Sequence, residues 1–243
     1  YDGIAVATND NIEIKAKKFK YNKNLSIINA VGNVEIRDLE KDFLIKSQNI
    51  FYYIKDNKVE SKTKSYFNDS LNNNLAATSF TYTLNDNLIK FNEATIVDKK
   101  ENIYTVEKAF LNVKSNKLIG KDVFINFNDN SFQKNSEPRL KGNSINSDGE
   151  ITTIEKGVFT TCKRNDDCPP WQFSAKEIKH NKKKKTIYYK NAWLKLYDKP
   201  VFYFPKFFHP DPSVKRQSGF LMPTFINSSS LGASLHIPYY HVI

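Results

Sequence analysis

The sequence predicts an all-β protein built of stacked hairpins, and three observations carry that expectation. Thirteen Tyr and eighteen Phe accompany frequent Ile and Val, residues that suit a pleated, half-buried surface better than a helix bundle. The chain also resembles itself at a period near 30 residues, and turn residues recur at nearly the same offset in each copy.

The clearest copies run from Ile14 to Ile36, Ile45 to Phe67, Leu75 to Val97 and Tyr104 to Phe127. Each reads as a small or polar residue, an aromatic-rich strand, a turn of Asn, Asp, Lys or Ser, and a second apolar strand. Fainter copies run from Leu140 to Cys162 and from Phe173 to Leu196. The turns fall at YNKN, IKDNK, LNDN, VKSNK, NSDG and HNKKKK. A single unit of this kind cannot cover its own apolar face, so successive hairpins are expected to stack in two layers around an apolar interior. The strand edges at each end would be open to a further strand, here the stretch from Ile12 to Phe19.

The pattern changes after Pro200. Prolines at 200, 205, 210, 212 and 223 cannot donate to a ladder, which predicts a connector or a weakly paired edge strand. Beyond it, FLMPTFINSSSLGASLHIPYY reads strand, polar turn, strand. The expected divisions are a hairpin domain over 1–198, a proline-rich connector over 199–219 and a further β-element over 220–243. The first residue is Tyr, and the sequence stops in an apparent strand. A removed leader or a fragment is therefore expected, with more chain beyond Ile243.

A formal charge of +11 raises nucleic acid, membrane surfaces and acidic ligands as partners. Lysine is spread throughout, however, and the dense run Lys182 to Lys185 coincides with an expected turn, so a solvated turn is the reading adopted and no nucleic-acid partner is expected. Binding that falls steeply with salt would be the sign of that rejected class. No metal, cofactor or catalytic centre is expected. His180, His209, His236 and His241 are scattered, no nucleophile triad or phosphate loop is evident, and a zinc site would need more ligands than Cys162 and Cys168 supply. Those two cysteines, six positions apart across NDD, are expected to take part in disulfide bonding, locally or with a partner elsewhere.

The run PVFYFPKFFHPDPSVKRQSGFLMPTF, preceded by the hairpin units and by GVFTTC and WQFSAKEI, resembles the LptD family of outer-membrane lipopolysaccharide (LPS) assembly proteins. The repeats are similar to the OstA-type β-jellyroll shared with periplasmic LPS-transport proteins such as LptA. The resemblance implies a non-enzymatic transport protein of the cell outer membrane, this segment lying mainly in the periplasm. A jellyroll would be followed by the first strands of a truncated transmembrane β-barrel.

Several roles follow from the resemblance. LPS acyl chains would ride the jellyroll interior, with Ile14, Ala16, Ile27, Val34 and Ile36 as wall residues from the first copy. Ile45, Ile50, Tyr52 and Ile54 would come from the second, and Phe80, Tyr82 and Phe124 from later ones. Pro223 and Pro238 match prolines that weaken a lateral gate in the barrel. Cys162 matches a jellyroll cysteine that bonds to the barrel in other members, but Cys168 lies close by, so local and long-range bonds both stay open. The implied partners are LPS, an LptA-like bridge joined by edge-strand pairing, and an LptE-like lipoprotein plugging the barrel. A free-standing periplasmic bridge of the same jellyroll type is the alternative, though it leaves the tail from Phe220 unexplained.

Overall fold

In the computed structural model the described residues are 5–9, 12–40, 43–68, 74–98, 101–128, 137–163, 170–210, 218–220, 224–228 and 232–241. They contain strands and turns, with no helix among them. The chain divides into two compact units, Tyr1–Ile125 and Asn126–Ile243.

In the first unit, β1 (Ala5–Asn9) pairs with β2 (Ile12–Ala16), and β2 and β3 (Lys18–Asn22) both pair with β4 (Ile27–Asp38). The strand β5 (Phe43–Tyr53) follows β4 and is flanked on its other side by the broken strand β6 (Lys58–Ser61) and β7 (Ser65–Asn68). The path continues through β8 (Asn74–Thr83), β9 (Leu88–Val97), β10 (Ile103–Asn112) and β11 (Lys117–Asn126). The second unit runs β12 (Arg139–Ser147), β13 (Ile151–Thr160), β14 (Trp171–Asn181), β15 (Thr186–Leu196) and β16 (Lys199–Pro210), every neighbouring pair antiparallel. The six sequence copies are thus six hairpins.

Left-handed backbone explains why the copies keep their period. Ser26, Asn57, Asn87, Asn116 and Lys185 close their turns with φ between 46° and 54°, a region that Asn tolerates better than most residues. The turns also bond to one another. The Ser26, Asn57 and Asn87 carbonyls accept from the amides of Ile54, Leu84 and Val113 at 3.0, 3.0 and 2.9 Å. In the second unit the Glu150 carbonyl accepts from Lys182 at 2.9 Å. Turn signals at a constant offset are therefore the sequence trace of a hydrogen-bonded column. Lys182 to Lys185 form one such turn and are exposed, which agrees with the solvated reading.

A second column makes the crease that folds each sheet. Asn33, Glu93, Asp122, Lys156 and Asn191 also have φ near +50°, each within the second strand of its hairpin. The registers of β8 and β10 with β9 both skip Glu93, and that of β14 with β15 skips Asn191. The left-handed residue turns the strand at each of these steps, and at Asn33 the register of β4 with β5 also shifts, a bulge that bends the strand further. Between β6 and β7 the break is closed by hydroxyls. Ser61 Oγ donates to the Asn49 carbonyl at 2.8 Å, Ser65 Oγ to the Thr63 carbonyl at 2.8 Å, and Ser47 Oγ lies 3.1 Å from Ser61 Oγ. All three serines are buried, and this network supplies the partners that the interrupted ladder withholds.

Bending brings the two halves of each sheet face to face. In the first unit Phe67, beyond the crease, packs edge-on against Phe80 and Phe91 on the turn side, each at 4.9 Å. Tyr82 donates its hydroxyl to Asp38 Oδ2 at 2.7 Å. In the second unit Phe173 stacks on Phe207 at 5.6 Å with planes 9° apart. The expected two-layer stack of hairpins is thus the observed architecture, and the chain is all-β.

Residues 199–219, expected as a connector or a weakly paired edge strand, begin with the twelve-residue strand β16, paired with β15. Prolines are tolerated there because of where they fall. Pro205 sits opposite Asn191, where the pairing already skips a step, and Pro200 follows a register shift. Residues 211–217 lie outside the described set. The tail forms β17 (Gly219–Phe220) paired with β20 (Tyr239–Tyr240), and β18 (Thr224–Ser228) paired with β19 (Gly232–His236). It has the form of an interrupted hairpin, and no closed barrel occurs among the described residues.

Candidate functional site

The inner face of the first unit is close-packed. Ile14, Ala16, Val34, Ile36, Ile45, Ile50, Tyr52, Phe80 and Tyr82, all expected on the inner wall, are buried. Three others are placed elsewhere. Ile54 opens a turn and is 40% exposed, because the hydrogen-bonded column needs its amide at that corner. Phe124 is only half-buried while its neighbours Val123 and Ile125 are buried, which puts it on the opposite face of β11. Ile27, at the first step of β4, is half-buried.

Beside the buried serines, one acidic residue is buried among the described residues of this unit. Asp38 is buried and accepts both the Tyr82 hydroxyl and the Glu40 amide, the latter at 3.1 Å. Burial, then the bond to Asp38, pushes the Tyr82 hydroxyl well above the usual tyrosine range. The interior therefore holds a carboxylate fixed by a neutral donor. The crease also borders a groove of about 270 Å³ lined by Asn33, Glu35, Lys46, Ser47, Lys64 and Tyr66 among others. A Lys46 to Glu35 ion pair of 3.3 Å sits there.

The second unit differs. Its inner face carries a row of rings from Phe127 through Phe159 and Trp171 to Phe173, with neighbouring centroids 6.2 Å apart. Beyond Phe173 the row reaches Tyr189, Phe204 and Phe207 at 6.1, 6.1 and 5.6 Å. Burial raises the Tyr189 hydroxyl above its ordinary range, and that hydroxyl lies 2.9 Å from His209 Nε2. At β16 the row opens to solvent. Phe204 and Phe207 are half-buried and Phe202, which pairs with the buried Leu194, is 50% exposed. Sequence reading placed these rings in a connector and so missed them as inner-face residues. Their spacing around Pro205 was the available signal.

Neither strand edge matches the expectation fully. Ile12–Ala16 already has β1 on one side and β4 on the other, whereas β3 pairs with β4 alone among the described residues. Cys162 is half-buried, its thiol 3.6 Å from the Trp171 carbonyl; Cys168 and Pro223 lie outside the described residues. Pro238 is exposed in the interval between β19 and β20, at the interruption of the tail hairpin. No group of three or more His, Cys, Asp or Glu suited to a metal occurs among the described residues.

Over 167 residues, 64% of its length, the chain is 29% identical to an LPS-assembly protein LptD of Idiomarina loihiensis. The chain is similar to LptD. It is also 36% identical over 107 residues to LptD of Shewanella oneidensis and 32% identical over 115 residues to LptD of Pseudomonas putida. These alignments span 21%, 14% and 12% of the three LptD proteins, so the chain corresponds to a small part of the relatives it matches. No protein-family model matches. Among solved structures, LptH of Pseudomonas aeruginosa, an LptA-homologous periplasmic component of a lipopolysaccharide transport device, covers 45% of this chain and 81% of its own. The identity is 12% and the TM-score 0.40, an overlap too small to carry an argument.

Proposed function

We propose that this chain is the hairpin domain and tail of an LptD-type protein, handling the acyl chains of LPS on its way into the outer membrane. The observation that supports this reading, beside the similarity to LptD, is the ring row of the second unit. It is an apolar inner face that stays part-open at Phe202, Phe204 and Phe207. Acyl chains lie along it while sugars and phosphates remain in water, and each methylene withdrawn from water is worth about 0.8 kcal/mol. In the first unit the layers touch through Phe67, so a chain enters there only when those ring contacts part. No bond is made or broken in this account.

The remaining roles rest on the same similarity. Strand addition by an LptA-like periplasmic bridge uses the open edge of β3, whose unpaired backbone groups supply the affinity. The tail hairpin begins an outer-membrane barrel in which Pro223 and Pro238 weaken a lateral seam and an LptE-like lipoprotein fills the lumen. The hairpin units stay in the periplasm, and Cys162 bonds to Cys168 or to a cysteine outside this sequence.

Trp171 stands within the ring row, which provides the test. In a Trp193→Phe protein, where Trp171 is the remaining tryptophan, LPS is expected to shift Trp171 emission to the blue. LPS stripped of its acyl chains should not. An equal response to both, or none to intact LPS, would remove the acyl-chain reading.

A further inference from the structure

The strand registers sort the inner face of the first unit into rows on either side of the crease. On the turn side, Phe80 and Phe91 pair across β8 and β9 in one row, and Val59, Tyr82 and Ile89 make the next row out. On the other side, Ile36, Ile45 and Phe67 share a row, and Asp38 with Phe43 lies beyond it. Contacts between the layers follow the same order. Phe67 meets Phe80 and Phe91, and one row farther from the crease the Tyr82 hydroxyl donates to Asp38 Oδ2 at 2.7 Å. In the sheet β5 and β6 stand between β4 and β8, so this bond spans the interior from layer to layer instead of running along a ladder.

The pair sits at the margin of the interior. Tyr82 and Asp38 are buried, while Leu39 and Glu40 just past one, and Asn85 and Asp86 just past the other, are exposed. A contact of this kind is a poor way to fill a permanent core, because the carboxylate gives up water for it, a cost that two apolar side chains would not carry. While the layers are closed, the charged acceptor makes the bond strong. Once they part, both groups return to water, which restores the hydration of the carboxylate. The rings of Phe67, Phe80 and Phe91 have no such compensation, since parting them exposes hydrocarbon. The outermost contact is thus the one that breaks and re-forms with the least loss.

We propose that Tyr82 and Asp38 form a latch that keeps the two layers of the first unit closed, and that its release is the step that opens this interior to a hydrocarbon chain. The second part rests on the acyl-chain reading above; the latch itself does not. Phe67 parts from Phe80 and Phe91 only after the margin has opened.

The test uses the whole chain with Cys162→Ser, Cys168→Ser and Val59→Cys, which sets one thiol on the inner face in the strand beside Tyr82. A thiol reagent should label this protein slowly. Adding Tyr82→Phe should speed labelling roughly tenfold, the worth of one lost hydrogen bond to a charged group. The faster rate should stay nearly flat in low urea, because a local opening exposes little surface. Ile50→Val, which loosens the same interior without touching the latch, should label near the slow rate. Unchanged labelling in Tyr82→Phe, a rate that climbs steeply with urea as global unfolding does, or equal acceleration by Ile50→Val would overturn the latch. Intact LPS, and not LPS stripped of its acyl chains, should slow labelling of the Tyr82→Phe protein. Fast labelling that intact LPS leaves unaltered would keep the latch and remove the acyl-chain reading for this unit.

Discussion

The two units use one repeat to opposite ends. In the first, the crease folds the sheet onto small and branched side chains, and Phe67 plugs the space between the layers against Phe80 and Phe91. In the second, the same crease brings Phe173 onto Phe207, but the last strand leaves its rings part-open. The backbone device is shared, and the choice between a closed core and an accessible wall is made by side-chain size and by which strand comes last.

That contrast predicts an asymmetry in stability. Phe67→Ala should destabilise the first unit by about 3–5 kcal/mol, the range for deleting a buried ring. Phe204→Ala should cost less, about 1–2 kcal/mol, since that ring is only part-buried. Urea titration of both variants checks the difference, and equal losses would mean that the second unit is as closed as the first. Tyr82→Phe comes next, at about 1–3 kcal/mol, because it strips a donor from the buried Asp38 carboxylate.

Alkaline pH probes both interiors. The Tyr82 and Tyr189 hydroxyls are both shifted upward in the folded chain, so folding holds their protons more tightly than the unfolded chain does. The resulting stability is fully present below the unfolded value of about 10 and declines as pH rises past it. Unfolding measured across that range should show a shallower decline in Tyr82→Phe and Tyr189→Phe than in the parent. The smallest effect concerns the creases. Glu93→Gly in one unit and Lys156→Gly in the other should each raise stability by up to about 1 kcal/mol, since neither native side chain favours φ near +50°. A loss at either position would mean that its side chain makes contacts that outweigh the strain.

Much of this architecture was legible in the sequence because its repeat is enforced by local chemistry. A turn that must end in a left-handed residue selects Asn at 57, 87 and 116, and that selection recurs visibly. The creases were not legible: Glu93 and Lys156 occupy left-handed positions that their residue types do not advertise. The same limit hid β16. Prolines suggested a connector or a weakly paired edge strand, yet Pro205 falls opposite Asn191, a step at which the ladder is already unpaired. Nine of the twelve expected wall residues are buried by period-two alternation, while Ile54 was misplaced by its role in the turn and Phe124 by a shift of one position on β11.

The most direct test of the account is photocrosslinking in cells, in the full-length protein, with a photoreactive residue at Phe204 on the inner face of β16 and, separately, at Phe208 on the outer face of the same strand. An LPS adduct at Phe204 and none at Phe208 is the predicted result. Adducts at both positions, or at Phe208 alone, in a protein that reaches the outer membrane would contradict the assignment of the ring row as the surface that carries LPS.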